Sequence, residues 1–218
     1  KIKNKNFKKI KADIREINKI SFRQIDKVVH LANIANDPSV DLNPNLSWEV
    51  NVLATKTILE KCIDANVKHF IYASSGSVYG IKKEKKVTED LPLVPISTYN
   101  ITKMIAERVI KSYEKKISIY CIRPATVCGY SPRMRLDVSV NMLTFQALKN
   151  RSITVHGGKQ IRPNIHIKDL INVYKFFVNK SGIKSGMYNA GFENLKIIDI
   201  AKKISKIIPS KIIIKKNN

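Results

Sequence analysis

What this sequence has little of narrows it before any motif is read. Cysteines number three among 218 residues. Cys62, Cys121 and Cys128 are scattered, form no C-x-x-C and have no ligand histidine beside them, which argues against a zinc site and fits a reduced, cytoplasmic protein. His30, His69, His156 and His166 likewise lack ligand spacing, so no metal is expected. No run of 18 or more apolar residues occurs, and the opening KIKNKNFKKI lacks an apolar signal-peptide core, so no membrane association is expected. Acid is scarce as well: 17 Asp plus Glu stand against 40 Lys plus Arg, a formal net charge of +23. One reading of that excess is a basic module for nucleic acid. Yet basic residues recur in almost every segment, no RGG or zinc-finger spacing is present, and aromatics do not interleave with a basic stripe. The charge therefore reads as a lysine-rich bias over solvated faces, with no nucleic-acid partner expected; a positive field would still favour an anionic ligand.

The rest of the composition, 44% hydrophobic and 26% charged, is that of an ordinary globular chain, long enough for one large domain or one and a half smaller ones. Strand-like apolar runs alternate with helix-like segments, the pattern of a parallel α/β sheet. Lys9–Ile14, Lys27–Ala32, Val67–Ser75 and Ile117–Pro124 read as strands, and Val28–Ala32 has the continuous apolar character of a central strand covered on both faces. Leu46–Ala65 reads as a helix with Val52, Leu59, Cys62 and Ile63 on one side. Thr98–Lys115 reads as another, with Ile101, Ile105 and Val109 four apart and Ser97 as its N-cap. Beyond Gly129 the texture changes. Helices are expected at Val138–Asn150, Lys168–Asn179 and near Ile197–Ile207, with strands at Ile153–His156 and near Tyr188, and the Lys-rich ends read as charge runs. One further scarcity matters here: among eight glycines there is no G-x-G-x-x-G or G-x-x-G-x-x-G, the turn that opens a doubly wound dinucleotide-binding fold. The expectation is a fragment lacking the first strand–helix–strand of such a fold, and a C-terminal portion as well.

Chemistry is carried first by Tyr99 and Lys103, which share one face of a predicted helix. A lysine ammonium there stabilises the phenolate and makes the tyrosine a usable base near neutrality. In so lysine-rich a chain about one Tyr-x-x-x-Lys arises by chance, and a second copy occurs at Tyr79 and Lys83. Gly80 interrupts any helix between those two, which leaves Tyr99 as the candidate. Upstream, the strand ending Ala73-Ser74-Ser75 delivers Ser75 to the carboxyl edge of the sheet, where open α/β folds place ligands; a Ser-Ser-Gly-Ser cluster also forms turns.

These residues lie in a longer series of matches. Ala12-Asp13-Ile14-Arg15, Val29-His30-Leu31-Ala32, Asn51 in Asn-Val-x-x-Thr, Phe70–Gly80, Tyr99–Lys103, Arg123-Pro124 and Gly157–Asp169 together resemble, in order, the motifs of the extended short-chain dehydrogenase/reductase family, in its nucleotide-sugar epimerase/dehydratase branch. The resemblance implies a Rossmann-like doubly wound parallel sheet, N-terminally truncated, over residues 1–130, and a smaller substrate-binding region over 131–218, interleaved with the end of the sheet and truncated C-terminally. It implies NAD as cofactor, with Asp13 on the adenine and Ile14, Leu31, Ala32, Tyr99 and Lys103 around the rest. It implies catalysis by Ser75, Tyr99 and Lys103 in a site that Asn51 helps to shape, and substrate contacts from Ser75, Asn141 and Arg162, the arginine on a nucleotide diphosphate. The implied activity is epimerisation, at C4 of a UDP-hexose, through a transient keto-sugar. A keto-sugar reductase, a sugar-acid decarboxylase and a non-catalytic NAD(P)-sensing protein are alternatives. Partners would be a nucleotide sugar and, in a homodimer, a second copy.

Three departures from the family pattern stand out. Dehydratases of the family carry an Asp-Glu pair where this chain has Gly76-Ser77, which argues against dehydration. Cys128 stands where Tyr is frequent, and Pro163 where Asp is usual. Arg133 and Arg135 read equally as substrate contacts or as a solvated loop, His166 as structural, and Asp169 as the cap of the helix it opens.

Overall fold

A computed structural model describes residues 6–84 and 86–216. In chain order its elements are β1 (Lys27–His30), α1 (Asp37–Asp41), α2 (Pro44–Trp48), α3 (Ala54–Asp64), β2 (His69–Ala73), α4 (Thr98–Lys111), β3 (Ser118–Pro124), β4 (Thr126–Cys128), α5 (Ser139–Asn150), β5 (Ser152–His156), β6 (Ile161–His166), α6 (Ile167–Asn179), β7 (Gly186–Ala190), β8 (Glu193–Lys196), α7 (Ile197–Ile207) and β9 (Lys211–Lys215). The alternation gives the α/β class the sequence predicts. Two compact units result, Lys1–Ile122 with Gly182–Tyr188, and Arg123–Ser181 with Asn189–Asn218.

The first unit is built on a sheet in the order β1-β2-β3-β7, with β1, β2 and β3 parallel. Alternate residues of β2 point the same way, and Phe70 and Tyr72 face a core closed by Ile58, Leu59 and Cys62 of α3 and Ala106 and Ile110 of α4. The helix expected at Leu46–Ala65 starts two residues early, because Asn43 caps Leu46 N–H at 3.0 Å and Pro44 fits the first helical position. It runs through a π-helical turn, Glu49–Leu53, into α3. Ser97 caps α4 through the Asn100 N–H at 3.3 Å, as the sequence predicts, and the helix closes at Lys111 rather than Lys115.

Two strand expectations fail in this unit. Lys9–Ile14 forms no strand: Phe7 to Lys11 are exposed, no described strand pairs with the segment, and Asp13 turns the chain instead. Unpaired, its backbone groups gain nothing from an extended conformation that water does not supply. β1 stops at His30 and borders β2 among the described strands; Val28 packs on the core while Val29 is 37% exposed, so the described residues cover one of its faces rather than the two expected.

The second unit holds a sheet in the order β4-β6-β8 and a parallel β5–β9 pair. Its core is Leu143 and Ala147 of α5, Ile153 and Val155 of β5, and Ile197, Ile200, Ala201 and Ile204 of α7. Lys211–Lys215, expected as part of a charge run, is a strand: its three isoleucines align with Ile153, Thr154 and Val155, and Ile212 packs on that core. No helix among the described residues is long and apolar enough to cross a membrane, and no described cluster of His, Cys, Asp or Glu could hold a metal ion.

Candidate active site

Helix α4 presents Tyr99, Lys103 and Glu107 at four-residue spacing, hence on one face. Lys103 is 3% exposed, although lysine is almost never fully buried without partners. Its partners come from the end of β2: Nζ donates to the Ala73 carbonyl at 2.6 Å and to the Tyr72 hydroxyl at 3.3 Å. The same ammonium lies 4.7 Å from the centre of the Tyr72 ring and 6.0 Å from that of Tyr99. Burial pushes Lys103 down to about 7, against the pull of Glu107 and Cys121. Tyr99 itself is half-buried.

Beyond Ala73 the β2 segment carries three serines. Ser74 is buried and gives its hydroxyl to Oε1 of Glu107. Ser75 is half-buried and caps the short 3-10 turn Gly76–Tyr79, accepting from Ser77 N–H at 3.2 Å and sharing a 2.7 Å hydroxyl contact with Ser77. That turn packs against α4, so Ser75 and Tyr99 are held on packed elements. The competing copy is laid out differently. Tyr79 is 4% exposed and ends the turn, Gly80 follows at φ 68°, and Lys83 lies exposed in the loop beyond. A Cβ at Gly80 would stand 1.9 Å from the Val94 carbonyl oxygen, so the break there is obligatory.

Asn51 sits in the π-helical turn, fully buried; such turns recur at functional sites. Its Oδ1 accepts from Ile34 N–H at 2.9 Å, and its Nδ2 donates to the Ile34 carbonyl at 3.0 Å and to Thr102 Oγ1 at 3.1 Å. Both amide protons are thereby used, so Asn51 ties the loop after β1 to α4. Next to it, Thr55 donates to the Asn51 carbonyl and meets His30 Nε2, each at 2.9 Å. With its one proton committed, the Thr55 oxygen accepts, which places the His30 proton on Nε2. Burial, helped by the Lys103 charge, lowers His30 to about 4 and keeps it neutral.

The remaining cofactor candidates are more dispersed. Leu31 and Ala32 lie in the loop after β1, exposed, with Leu31 at 58%. Ile14 packs its side chain on the first core. Asp13 is exposed, and its carboxylate is gripped by Arg15 through Nη2 at 2.8 Å and the backbone N–H at 2.9 Å. Arg15 also reaches Glu49 at 3.0 Å, and its hydrogen bonds hold Asp13 down at about 2.

In the second unit, Arg162 on β6 is exposed, and among the described residues its guanidinium bonds to its neighbour's carbonyl, Ile161 O, at 3.3 Å. Asn141, in the first turn of α5, is buried; it accepts from Gly129 N–H at 2.9 Å and donates to the Arg135 carbonyl at 2.8 Å, which fixes the intervening loop. Arg135 pairs with Asp137 at 2.6 Å, and Arg133 is exposed. His166, not Asp169, caps α6, accepting from Lys168 N–H at 3.3 Å, while Asp169 occupies the first turn, where the helix dipole favours a carboxylate. His166 also covers Gly129, where a Cβ would stand 2.4 Å from Nε2.

Sequence reasoning missed Tyr72, the Ala73 carbonyl, His30 with Thr55, Thr102 and Glu107. Only Glu107 had a local signal, its place four residues beyond Lys103 on the Tyr99 face.

Comparison with known proteins gives this geometry a context. The chain is 29% identical over 209 residues to UDP-glucose 4-epimerase of Lactobacillus helveticus, covering 84% of this chain and 63% of that protein. Among solved structures it resembles UDP-glucuronic acid 4-epimerase of Bacillus cereus in complex with UDP-glucuronic acid and NAD, with TM-score 0.78 and 30% identity over 94% of this chain and 65% of that one. MoeE5 in complex with UDP-glucuronic acid and NAD superposes with TM-score 0.82 over 96% of this chain and 71% of that one, at 24% identity, a likeness of fold. The chain thus spans about three fifths of the length of the curated epimerase it matches. A family model matches residues 3–191, and the chain belongs to the NAD dependent epimerase/dehydratase family.

Proposed function

We propose that this chain carries the catalytic centre of an NAD-dependent nucleotide-sugar epimerase acting at C4 of a UDP-hexose. The observation that carries the reading is the Lys103 ammonium, buried against the Ala73 carbonyl and 6.0 Å from the Tyr99 ring on the same helix face. A cation fixed there favours the phenolate, so Tyr99 takes the proton of the sugar hydroxyl near neutral pH and later returns it. Ser75, half-buried at the end of the β2 segment, hydrogen-bonds the reacting oxygen and shares the proton path. Asn51 keeps α4 and the loop after β1 in register while this happens.

The residues present fit the cofactor. Lys103 has three N–H donors, and two meet partners among the described residues, leaving one for a ribose hydroxyl. Leu31 and Ala32 offer exposed surface at the exit of β1, and Asp13 would meet the adenine with the lone pairs that Arg15 leaves. When bound, NAD supplies the acceptor and then the donor of the sugar's hydride. On the substrate side, the exposed guanidinium of Arg162 suits a diphosphate, and Asn141 holds the loop of Arg135.

One point favours epimerisation over dehydration within the family: the turn after Ser75 reads Gly-Ser-Val-Tyr and holds no carboxyl group to expel water from the sugar. The test is incubation of the protein with UDP-glucose and NAD, reading UDP-galactose by chromatography. Interconversion supports the reading. NAD binding with no turnover of any UDP-hexose would leave a sensor, and net consumption of NADH with a keto-sugar would mark a reductase.

A further inference from the structure

Glu107 is 1% exposed, the one buried carboxylate among the described residues, and nothing in the proposed proton path uses it. It lies one turn beyond Lys103 on α4 and accepts the hydroxyl of Ser74, the residue between the Lys103 anchor Ala73 and Ser75. Burying a carboxylate and an ammonium costs several kcal/mol each unless they are compensated. Here these two charges of opposite sign sit one helical turn apart, the strand exit supplies a hydrogen bond to each, and the other buried charge among the described residues is Arg123, two residues past Cys121 on β3.

We propose that Glu107 is a positioning residue for the catalytic centre: fixed by Ser74, it is the buried counter-charge that keeps Lys103 protonated, and it clamps the β2 exit bearing Ser75 to the helix bearing Tyr99. This rests on the reading of Tyr99 and Lys103 as the proton-handling pair. The groups that face Lys103 are consistent with the need for such a charge. His30 from β1 is neutral, Tyr72 from β2 offers a hydroxyl and a ring face, Cys121 from β3 is a buried thiol, and Tyr99 shares its helix. Glu107 is the one carboxylate among them. Without it, the described groups that oppose desolvation of Lys103 are the Ala73 and Tyr72 hydrogen bonds and weak thiol and ring contacts, and the buried Arg123 adds no negative charge. The ammonium would then lose its proton at a lower pH, and Tyr99 would lose the cation that makes it acidic.

The decisive variant is Glu107→Gln, which keeps shape and an acceptor for Ser74 but removes the charge. The readout is the pH titration of the Lys103 13Cε resonance in protein labelled at lysine, assigned by its loss in Lys103→Arg. The expected result is a fall in the Lys103 midpoint by about one unit. Ser74→Ala, which leaves the carboxylate but removes its anchor, should move it the same way by less. Neither measurement needs substrate, so both stand even if the protein epimerises no sugar. If it does turn over UDP-glucose, the alkaline limb of kcat should shift down in parallel, with Glu107→Asp recovering part of the shift. A folded Glu107→Gln protein with an unmoved Lys103 titration would overturn the proposal. If that variant does not fold, an unmoved titration in Ser74→Ala would do so.

Discussion

Asn51 and Ile34 form a closed amide–backbone ring: the side-chain oxygen accepts from Ile34 N–H at 2.9 Å and the side-chain nitrogen donates to Ile34 C=O at 3.0 Å. The other amide proton goes to Thr102, one turn from the start of α4. Seventeen residues separate the first pair and 51 the second, so one side chain joins three stretches of chain.

Replacing Asn51 by Ala leaves the part-buried Ile34 N–H and carbonyl without this partner and removes a donor from the buried Thr102 hydroxyl, which keeps its own bond to the Tyr99 carbonyl. Such groups cost about 1–3 kcal/mol each when left unpaired, less whatever local relaxation recovers. Urea unfolding of Asn51→Ala should therefore show a loss of about 2–4 kcal/mol, and a loss within experimental error would mean the ring is incidental.

Lys103 illustrates a conflict between stability and function. Its folded pKa of about 7 lies below the ordinary 10.5, so the unfolded chain binds more protons between those values and stability rises with pH across that window. Below pH 7 the buried charge carries its full cost. Lys103→Met should stabilise the protein at pH 6 by about 1–3 kcal/mol, and the gain should shrink towards pH 10, where the wild-type amine is neutral. Paired thermal melts at the two pH values check this, and a pH-independent difference would contradict it.

His30 acts in the acid range. Burial lowers it from 6.5 to about 4, so its contribution is intact above pH 6.5 and is lost as pH falls towards 4. Over that interval the wild-type protein should lose up to about 3 kcal/mol through this group alone. His30→Gln retains a donor for Thr55 but does not titrate. The difference between the two unfolding free energies, measured in urea at pH 7 and pH 4.5, should narrow on the acid side. A constant difference would mean that His30 is not held neutral.

Much of the first unit was legible because its signals are local. The four-residue recurrence of Ile101, Ile105 and Val109 and the Ser97 cap mark α4 almost from end to end, and the same spacing puts Lys103 beside Tyr99. What escaped depends on partners far along the chain. Lys9–Ile14 has strand composition but no described neighbour to pair with, whereas KIIIK at 211–215, dismissed as charge, is a strand because β5 lies beside it. The contacts of Asn51 were invisible for the same reason, since Thr102 is remote in sequence. Asp169 has the type of a cap, but the helix starts two residues earlier, at Ile167, so His166 Nδ1 takes the Lys168 N–H and Asp169 falls inside the first turn. Tyr72 gave no sign of meeting Lys103, because on β2 it reads as one more alternating core residue beside Phe70.

The two Tyr-x-x-x-Lys copies offer the most direct test of the central claim. Tyr99 is half-buried beside the buried ammonium, while Tyr79 ends a turn from which Gly80 leads Lys83 away. The measurement is conversion of UDP-glucose to UDP-galactose by the protein, by Tyr99→Phe and by Tyr79→Phe, with folding checked by circular dichroism. The account predicts a loss of at least about 100-fold in kcat for Tyr99→Phe, the scale of a missing general base, and a far smaller loss for Tyr79→Phe. Near-normal turnover in Tyr99→Phe, or the reverse ranking, would contradict it.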